Sequence, residues 1–108
     1  MYIYNITTKV HTSIHEQWVE WMKMHHIPQI MATGCFTESQ FARLLELDDS
    51  EGPTFATQFK AASKADYNRY IEIHAPALRK DSLSKWGDKI IEFISLFILL
   101  NLFYCLSY

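Results

Sequence analysis

Residues 2 to 10 alternate Tyr2, Tyr4, Ile6, Thr8 and Val10 against Ile3, Asn5, Thr7 and Lys9. A period of two in a run this rich in β-branched and aromatic residues predicts a strand with at least one buried face. The period then lengthens. Ile14, Trp18, Trp21, Met22 and His25 recur at steps of three and four, while Glu16, Gln17, Glu20 and Lys23 fall largely off that line, the pattern of an amphipathic helix. Ser13-Ile14-His15-Glu16 has the Ser-x-x-Glu spacing of a capping box at its start. Pro28 predicts a break or kink beside His26 and Ile27, Ile30 and Met31 fit a last short turn, and Gly34 supplies a stop. Residues 37–48 read as a second strand, with Phe41, Arg43, Leu45 and Leu47 against Ala42, Leu44 and Glu46. Asp48-Asp49-Ser50-Glu51-Gly52-Pro53 is a turn by composition, and residues 54–60 form a third strand that closes a hairpin. Ser63 and Asp66 repeat the capping spacing ahead of a helical face of Tyr67, Tyr70, Ile71 and His74. Pro76 kinks that helix or opens a new one carrying Leu78, Leu83 and Trp86. Gly87 ends it, and residues 89–98 give a fourth strand.

The order is βαββαβ, the split βαβ or ferredoxin-like arrangement of the α+β class. Two helices cover one face of a four-stranded antiparallel sheet and leave the other bare. Both registers of the first, second and fourth strands carry large apolar groups. Burying one such side chain is worth roughly 1.5–3 kcal/mol, so the open face calls for a cover. A second copy with two-fold symmetry, sheet against sheet, is the expected partner. Residues 1–98 make a single domain under this reading, and residues 99–108 an apolar C-terminal tail. From Phe93 onward no side chain carries a charge, but that run is shorter than the roughly 20 residues of a membrane helix. An extension of a buried strand is the expectation, with membrane contact as the alternative.

Composition narrows the classes. At 108 residues and 12.7 kDa the chain has room for one domain, and 49% hydrophobic with 15% aromatic residues is enough to build a core. Ten Lys and Arg against twelve Asp and Glu give a net charge of −2, which offers no field for nucleic acid. The basic group Arg79, Lys80, Lys85 and Lys89 is interrupted by Asp81 and Asp88 and has no interleaved aromatics of the kind that bind nucleic acid. Cys35 and Cys105 lie far apart without CxxC or CxxH spacing, so a disulfide scaffold is not expected and a cytoplasmic chain is. The N-terminus has no basic stretch followed by an apolar one, the mark of a signal peptide.

Several strings carry a family resemblance: Ile3-Tyr4-Asn5-Ile6-Thr7, Trp18-Val19-Glu20-Trp21-Met22, His25-His26-Ile27-Pro28, Thr33-Gly34-Cys35-Phe36-Thr37 and His74-Ala75-Pro76-Ala77-Leu78. Over about residues 1–94 the chain resembles DUF4286, a family of small bacterial proteins with no assigned function. The resemblance implies a dimeric α+β barrel, a fold shared with small monooxygenases, muconolactone isomerases and haem-handling proteins, and it implies no activity. Beyond Phe93 the chain departs from that pattern and runs on through an apolar tail.

Candidate chemistry is sparse. His26 and His74 each stand two residues before a proline, near a helix-to-turn transition, where an imidazole with a pKa of about 6.5 can act as base or donor. Capping of backbone carbonyls at a helix end serves the same positions equally. His25 falls on the apolar face and is expected to be packed. Trp18, Trp21, Tyr67 and Tyr70 can wall a pocket for a flat organic ligand between sheet and helices, although the same spacing describes ordinary core, and Trp21 is expected to bury deeply. Tyr4 and Asn5 add polar groups on the first strand. His11 and His15 lack the further ligands a metal site needs. There is no phosphate loop, so no cofactor is expected, and Cys35 with His26 lacks an orienting third group. Two classes stand: a ligand-binding homodimer, or a cofactor-free oxygenase, isomerase or haem-handling enzyme acting through His26 or His74.

Overall fold

The structure, a computed structural model, describes residues 1–105. β1 (Tyr2–Val10) lies between β3 (Thr54–Ala61) and β4 (Ile90–Ile98), and β2 (Glu38–Arg43) flanks β3. The order is β2-β3-β1-β4 with every neighbouring pair antiparallel. One helical segment joins β1 to β2: α1 (His15–Trp21), a π-helical turn (Met22–His26) and α2 (Ile27–Ala32). A second joins β3 to β4: α3 (Lys64–Arg69), another π-helical turn (Tyr70–His74) and α4 (Ala75–Trp86). Both segments cover one face, and the fold is the expected ferredoxin-like α+β sheet.

Alternation decides which side chains meet the helices. Along β3 every second residue is buried, placing Phe55, Thr57, Phe59 and Ala61 inward, and β1 turns Tyr4, Thr8 and Val10 the same way. Two core clusters result. Tyr4, Ile30, Phe36, Phe59 and Tyr70 anchor one; Val10, Trp18, Met22, Phe55, Trp86 and Ile90 anchor the other. The hairpin loop closes over the end of β1, where Val10 N–H donates to the Pro53 carbonyl at 2.9 Å and Thr12 N–H to that of Glu51 at 3.1 Å. Gly52 makes this approach possible: its φ is +143°, and a Cβ there would stand 1.8 Å from the Val10 carbonyl oxygen.

Several sequence expectations need correction. β2 stops at Arg43, not at residue 48. Leu44 N–H makes the last bond across to Thr54. The Ser50 N–H then donates to Asp48 Oδ1 at 3.0 Å and Arg43 pairs with Asp49 at 2.8 Å, so turn chemistry takes over and Leu45 and Leu47 are exposed. Ser13 does not cap α1; its hydroxyl is paired with His11 Nδ1 at 2.8 Å. Ser63 does cap α3, accepting from Asp66 N–H at 3.1 Å.

The prolines do not break the helices but widen them. Pro28 and Pro76 lack an N–H and crowd the carbonyl four residues back. Just ahead of them, Ile27 N–H reaches back to Met22 O and Ala75 N–H to Tyr70 O, five residues away. A π turn holds one residue more than an α turn and so shifts the phase of everything after it. His26 therefore turns inward and His25 is exposed, against expectation. On α4, Ser82 is buried and Leu83 exposed, the reverse of a simple apolar count. Trp21 is only half-buried.

The open face is less apolar than expected. From β1 and β3 it presents Asn5, Thr7, Lys9, Gln58 and Lys60, and from β2 Glu38, Gln40 and Ala42, with Glu38 paired to Lys60. Its apolar groups gather toward β4, in Ile91, Phe93 and Phe97, next to Ile3. Leu99 N–H bonds to the Met1 carbonyl at 2.9 Å, after which residues 100–105 run exposed without regular structure. Leu106, Ser107 and Tyr108 of the tail lie outside the described residues. No helix among the described residues is long and apolar enough to cross a membrane.

Trp18, at 1% exposure and against Phe41 and Phe55, replaces Trp21 as the stability anchor. Trp18→Ala should cost about 3–5 kcal/mol and Trp21→Ala clearly less; urea unfolding of both variants measures the order.

Candidate functional site

Tyr4 stands on the central strand and faces the helices with 1% of its surface exposed. Its ring lies among those of Phe36, Phe59, Tyr67 and Tyr70, at centroid distances of 6.1, 6.2, 5.8 and 5.7 Å. A phenol in such a layer needs a hydrogen-bond partner. Arg79 supplies it from α4, its Nη2 donating to the Tyr4 hydroxyl at 3.0 Å. Burial raises the pKa of Tyr4, opposed by the bond and charge of Arg79. Burial also raises Tyr70, with Tyr4 adding to the effect.

Two positions along β1 from Ile6, Thr8 faces inward and pairs across with Glu92 of β4. Partial desolvation raises the Glu92 carboxyl above its ordinary value, although the residue as a whole is exposed at the sheet edge, and Arg79 works against that rise. Arg79 has no carboxylate within ion-pair distance among the described residues, so its charge is spent on a neutral phenol. A guanidinium has five donor hydrogens, which leaves this one with capacity for an oxyanion.

Ser82 of α4 and His26 complete the polar set around a small cavity that Tyr4, Thr8, Tyr70, Arg79 and Glu92 also line. The space inside is about 20 Å³, enough for one water and too little for an organic molecule. The β4 side offers the way to enlarge it. Ile94, Leu96 and Ile98 share the helix-facing side of β4 with Glu92, yet lie 48, 38 and 58% exposed. An uncovered apolar shelf thus runs up to the polar cluster.

His26 is 8% exposed and stacks on Trp21, with centroids 4.5 Å apart and planes at 19°. Its Nδ1 has no hydrogen-bond partner among the described residues. Burial lowers its pKa to about 4, against a smaller opposing effect of Asp81. At neutral pH it is an uncharged imidazole, not a group poised to titrate there. His74 stacks on Tyr70 at 6.4 Å and does not line the cavity.

The residues singled out in the sequence thus divide. Tyr4, Tyr70 and His26 come together, with Tyr67 against the Tyr4 ring. Trp18 belongs to the other core cluster, and Trp21 lines a groove on the outer side of the helices. Asn5 lies on the opposite face of the sheet and donates to Thr7 Oγ1 at 3.0 Å. Arg79, Glu92, Thr8 and Ser82 were missed. Glu92 carried a readable signal: it is the one charge in the apolar run of β4, and it falls at a helix-facing position. No three metal-ligating side chains converge among the described residues.

Among solved structures the chain is similar to a "putative antibiotic biosynthesis monooxygenase" from Deinococcus radiodurans, with a TM-score of 0.69 at 10% identity over 99% of this chain and 100% of that one. It is also similar to a dimeric ferredoxin-like protein from an uncultured marine organism, with a TM-score of 0.65 at 11% identity over 97% of this chain and 100% of the other. A third likeness is to an ethyl tert-butyl ether D family protein from Bacillus halodurans, with a TM-score of 0.62 at 12% identity over 88 and 97% of the two chains. At these identities the likeness is one of fold, and it places the chain among ferredoxin-like α+β proteins. No curated protein matches it. The chain belongs to the family described as Domain of unknown function (DUF4286), whose model matches residues 1–99.

The depressed pKa of His26 makes stability depend on pH. The unfolded imidazole takes its proton near 6.5 and the folded one only near 4, so between these values the unfolded state binds more protons. Stability is full above the unfolded value and falls as the pH drops toward about 4. Between pH 7 and pH 4.5 the protein should lose about 2–3 kcal/mol more than its His26→Phe variant does, measured by urea unfolding at each pH.

Proposed function

We propose that the protein is a homodimer that binds a small organic ligand between the sheet and the second helical segment. The observation that carries this reading is Arg79. It is a guanidinium without a carboxylate partner among the described residues, bonded to the buried Tyr4 hydroxyl, beside a carboxyl raised by partial desolvation and an apolar shelf on β4. The ligand's polar group, an oxyanion or carbonyl oxygen, would meet Arg79 and Tyr4, and its apolar body would lie over Ile94 and Leu96. Tyr70 and Tyr67 would support the Tyr4 ring, and Thr8, Ser82 and Glu92 would supply further hydrogen bonds. Entry would require the Arg79 side chain to swing outward, since the cavity has room for a single water at most. The likeness to a monooxygenase supports an enzymatic alternative in which His26, at the cavity wall, acts on the bound ligand. A neutral imidazole with a pKa of about 4 is a weak base for that task, which favours binding over catalysis.

The dimer would form through the open sheet face. Ile91, Phe93 and Phe97 are 57, 66 and 48% exposed there, a cluster with reason to be covered, and one similar structure is described as a dimer. Two unpaired cysteines suit the cytoplasm. Residues 1–98 would form the domain and the tail would lie outside it, in keeping with a family match that ends at residue 99.

Native mass spectrometry of the purified protein should report twice the 12.7 kDa of the chain with a small molecule retained. Arg79→Met should lose that molecule and remain dimeric. Loss from Phe93→Lys of the dimer alone would separate the two properties; retention of the same molecule by Arg79→Met would refute the site.

Truncation after Ile98 should leave a folded dimer of higher solubility, checked by circular dichroism and sedimentation. A truncated chain that fails to fold would make the tail part of the domain.

A further inference from the structure

Outside the layer that holds the cavity, the first helical segment and the end of α4 enclose an open groove of about 540 Å³, within the range of small-molecule sites. It shares no lining residue with the cavity. The two faces of the first helical segment make the division: Met22 and His26 face the cavity, while Trp21, Met24 and His25 face the groove.

Two indoles form its walls. Trp21 and Trp86 meet with centroids 5.7 Å apart and planes at 72°, a steep corner in which Trp21 is half-buried and Trp86, 8% exposed, shows the groove only a small part of its surface. One face of Trp21 is already occupied by the His26 ring. The Lys85 ammonium stands 5.3 Å from the centroid of Trp86, and Met24, 65% exposed, adds a soft apolar contact. We propose that this groove is a second binding site, taking a flat aromatic carboxylate with its ring in the corner of the two indoles and its carboxylate on Lys85.

Geometry and charge both select this class. A ring stacked on one indole presents its edge to the other, and offset-stacked and edge-to-face contacts are the two favoured aromatic arrangements. An organic cation would compete with Lys85 for the face of Trp86 and share the groove with its charge. An aromatic anion leaves Lys85 where it is and pairs with it. Glu20, the one acid on the groove, opposes the anion, and its removal has a defined sign.

Nitrogen-15-labelled full-length protein titrated with 2-naphthoate tests the proposal through the indole N–H signals of the three tryptophans. Trp21 and Trp86 should shift together along one saturating curve, with Trp18 of the core unmoved. Lys85→Glu should weaken binding about tenfold or more and Glu20→Gln should strengthen it about twofold, as expected of a charge-assisted contact at a partly open site. The uncharged 2-naphthamide should bind more weakly and be indifferent to Lys85→Glu. Lys85 and Glu20 are exposed, so both variants keep the fold. The site is refuted if no saturation is reached at millimolar 2-naphthoate, if Trp18 moves with the other two, if Lys85→Glu leaves the affinity unchanged, or if tetramethylammonium produces the same shifts at lower concentration. Arg79→Met, which should empty the inner cavity, should not alter this titration, so the two sites succeed or fail separately.

Discussion

The structure is organised around a phenol placed in the middle of an apolar layer. Tyr4 occupies a helix-facing position on the central strand, where four aromatic rings surround it. Leaving its hydroxyl without a partner there would cost more than the ring's burial tolerates lightly. Arg79 reaches in from α4 to meet it. That contact brings a full positive charge into a partly buried setting and ties α4 to the sheet. With Glu92 close enough for Arg79 to oppose its rise in pKa, one packing requirement has gathered the polar groups on which a ligand site can be built.

The two helical segments answer a second constraint in the same way. Each carries His-x-Pro, as His26-Ile27-Pro28 and His74-Ala75-Pro76, and each widens into a π turn ahead of its proline. The extra residue in the turn rotates the helix beyond it. In the first segment His26 turns into the layer and His25 faces outward, beside the half-buried Trp21 that precedes the turn. In the second the turn starts at Tyr70, which packs on Tyr4. The cavity depends on this change of phase, consistent with the frequent use of π turns at functional positions.

β4 bears the consequences for assembly. It is an edge strand without a charge after Glu92, apolar on both faces. On the helix side it forms the shelf that leads to Arg79, and on the open side it carries Ile91, Phe93 and Phe97. The polar centre of the open face, with Asn5, Gln58 and the Glu38–Lys60 pair, confines any apolar contact with a second copy to this flank. Edge strands that lack charge and are not covered are liabilities that proteins manage, and covering by a partner is the management that the apolar flank of β4 suits best.

Local pattern determined much of this protein. The period of two in β1, β3 and β4, the helical spacing between them and the capping Ser63 sufficed for the βαββαβ order, because strand and helix periods arise from backbone geometry that each segment carries within itself. The same arithmetic put Tyr70 on a packed helical face and set Tyr4 and Asn5 on opposite sides of β1, and only the docking of the helices decided which of those two sides is the inner one. Tertiary structure decided the rest. A helical wheel drawn with one constant period cannot register a π turn, so it packs His25 and carries no sign of the stacking of His26 on Trp21. Ser13 and the Leu45–Leu47 stretch were claimed by side-chain and turn bonds that compete with capping and strand pairing. Arg79 meets Tyr4 from a position 75 residues away in the chain, and Glu92 lies across from Thr8 only because β4 pairs with β1 in one register. Such convergence is a property of sheet order and helix docking, and no segment holds it alone.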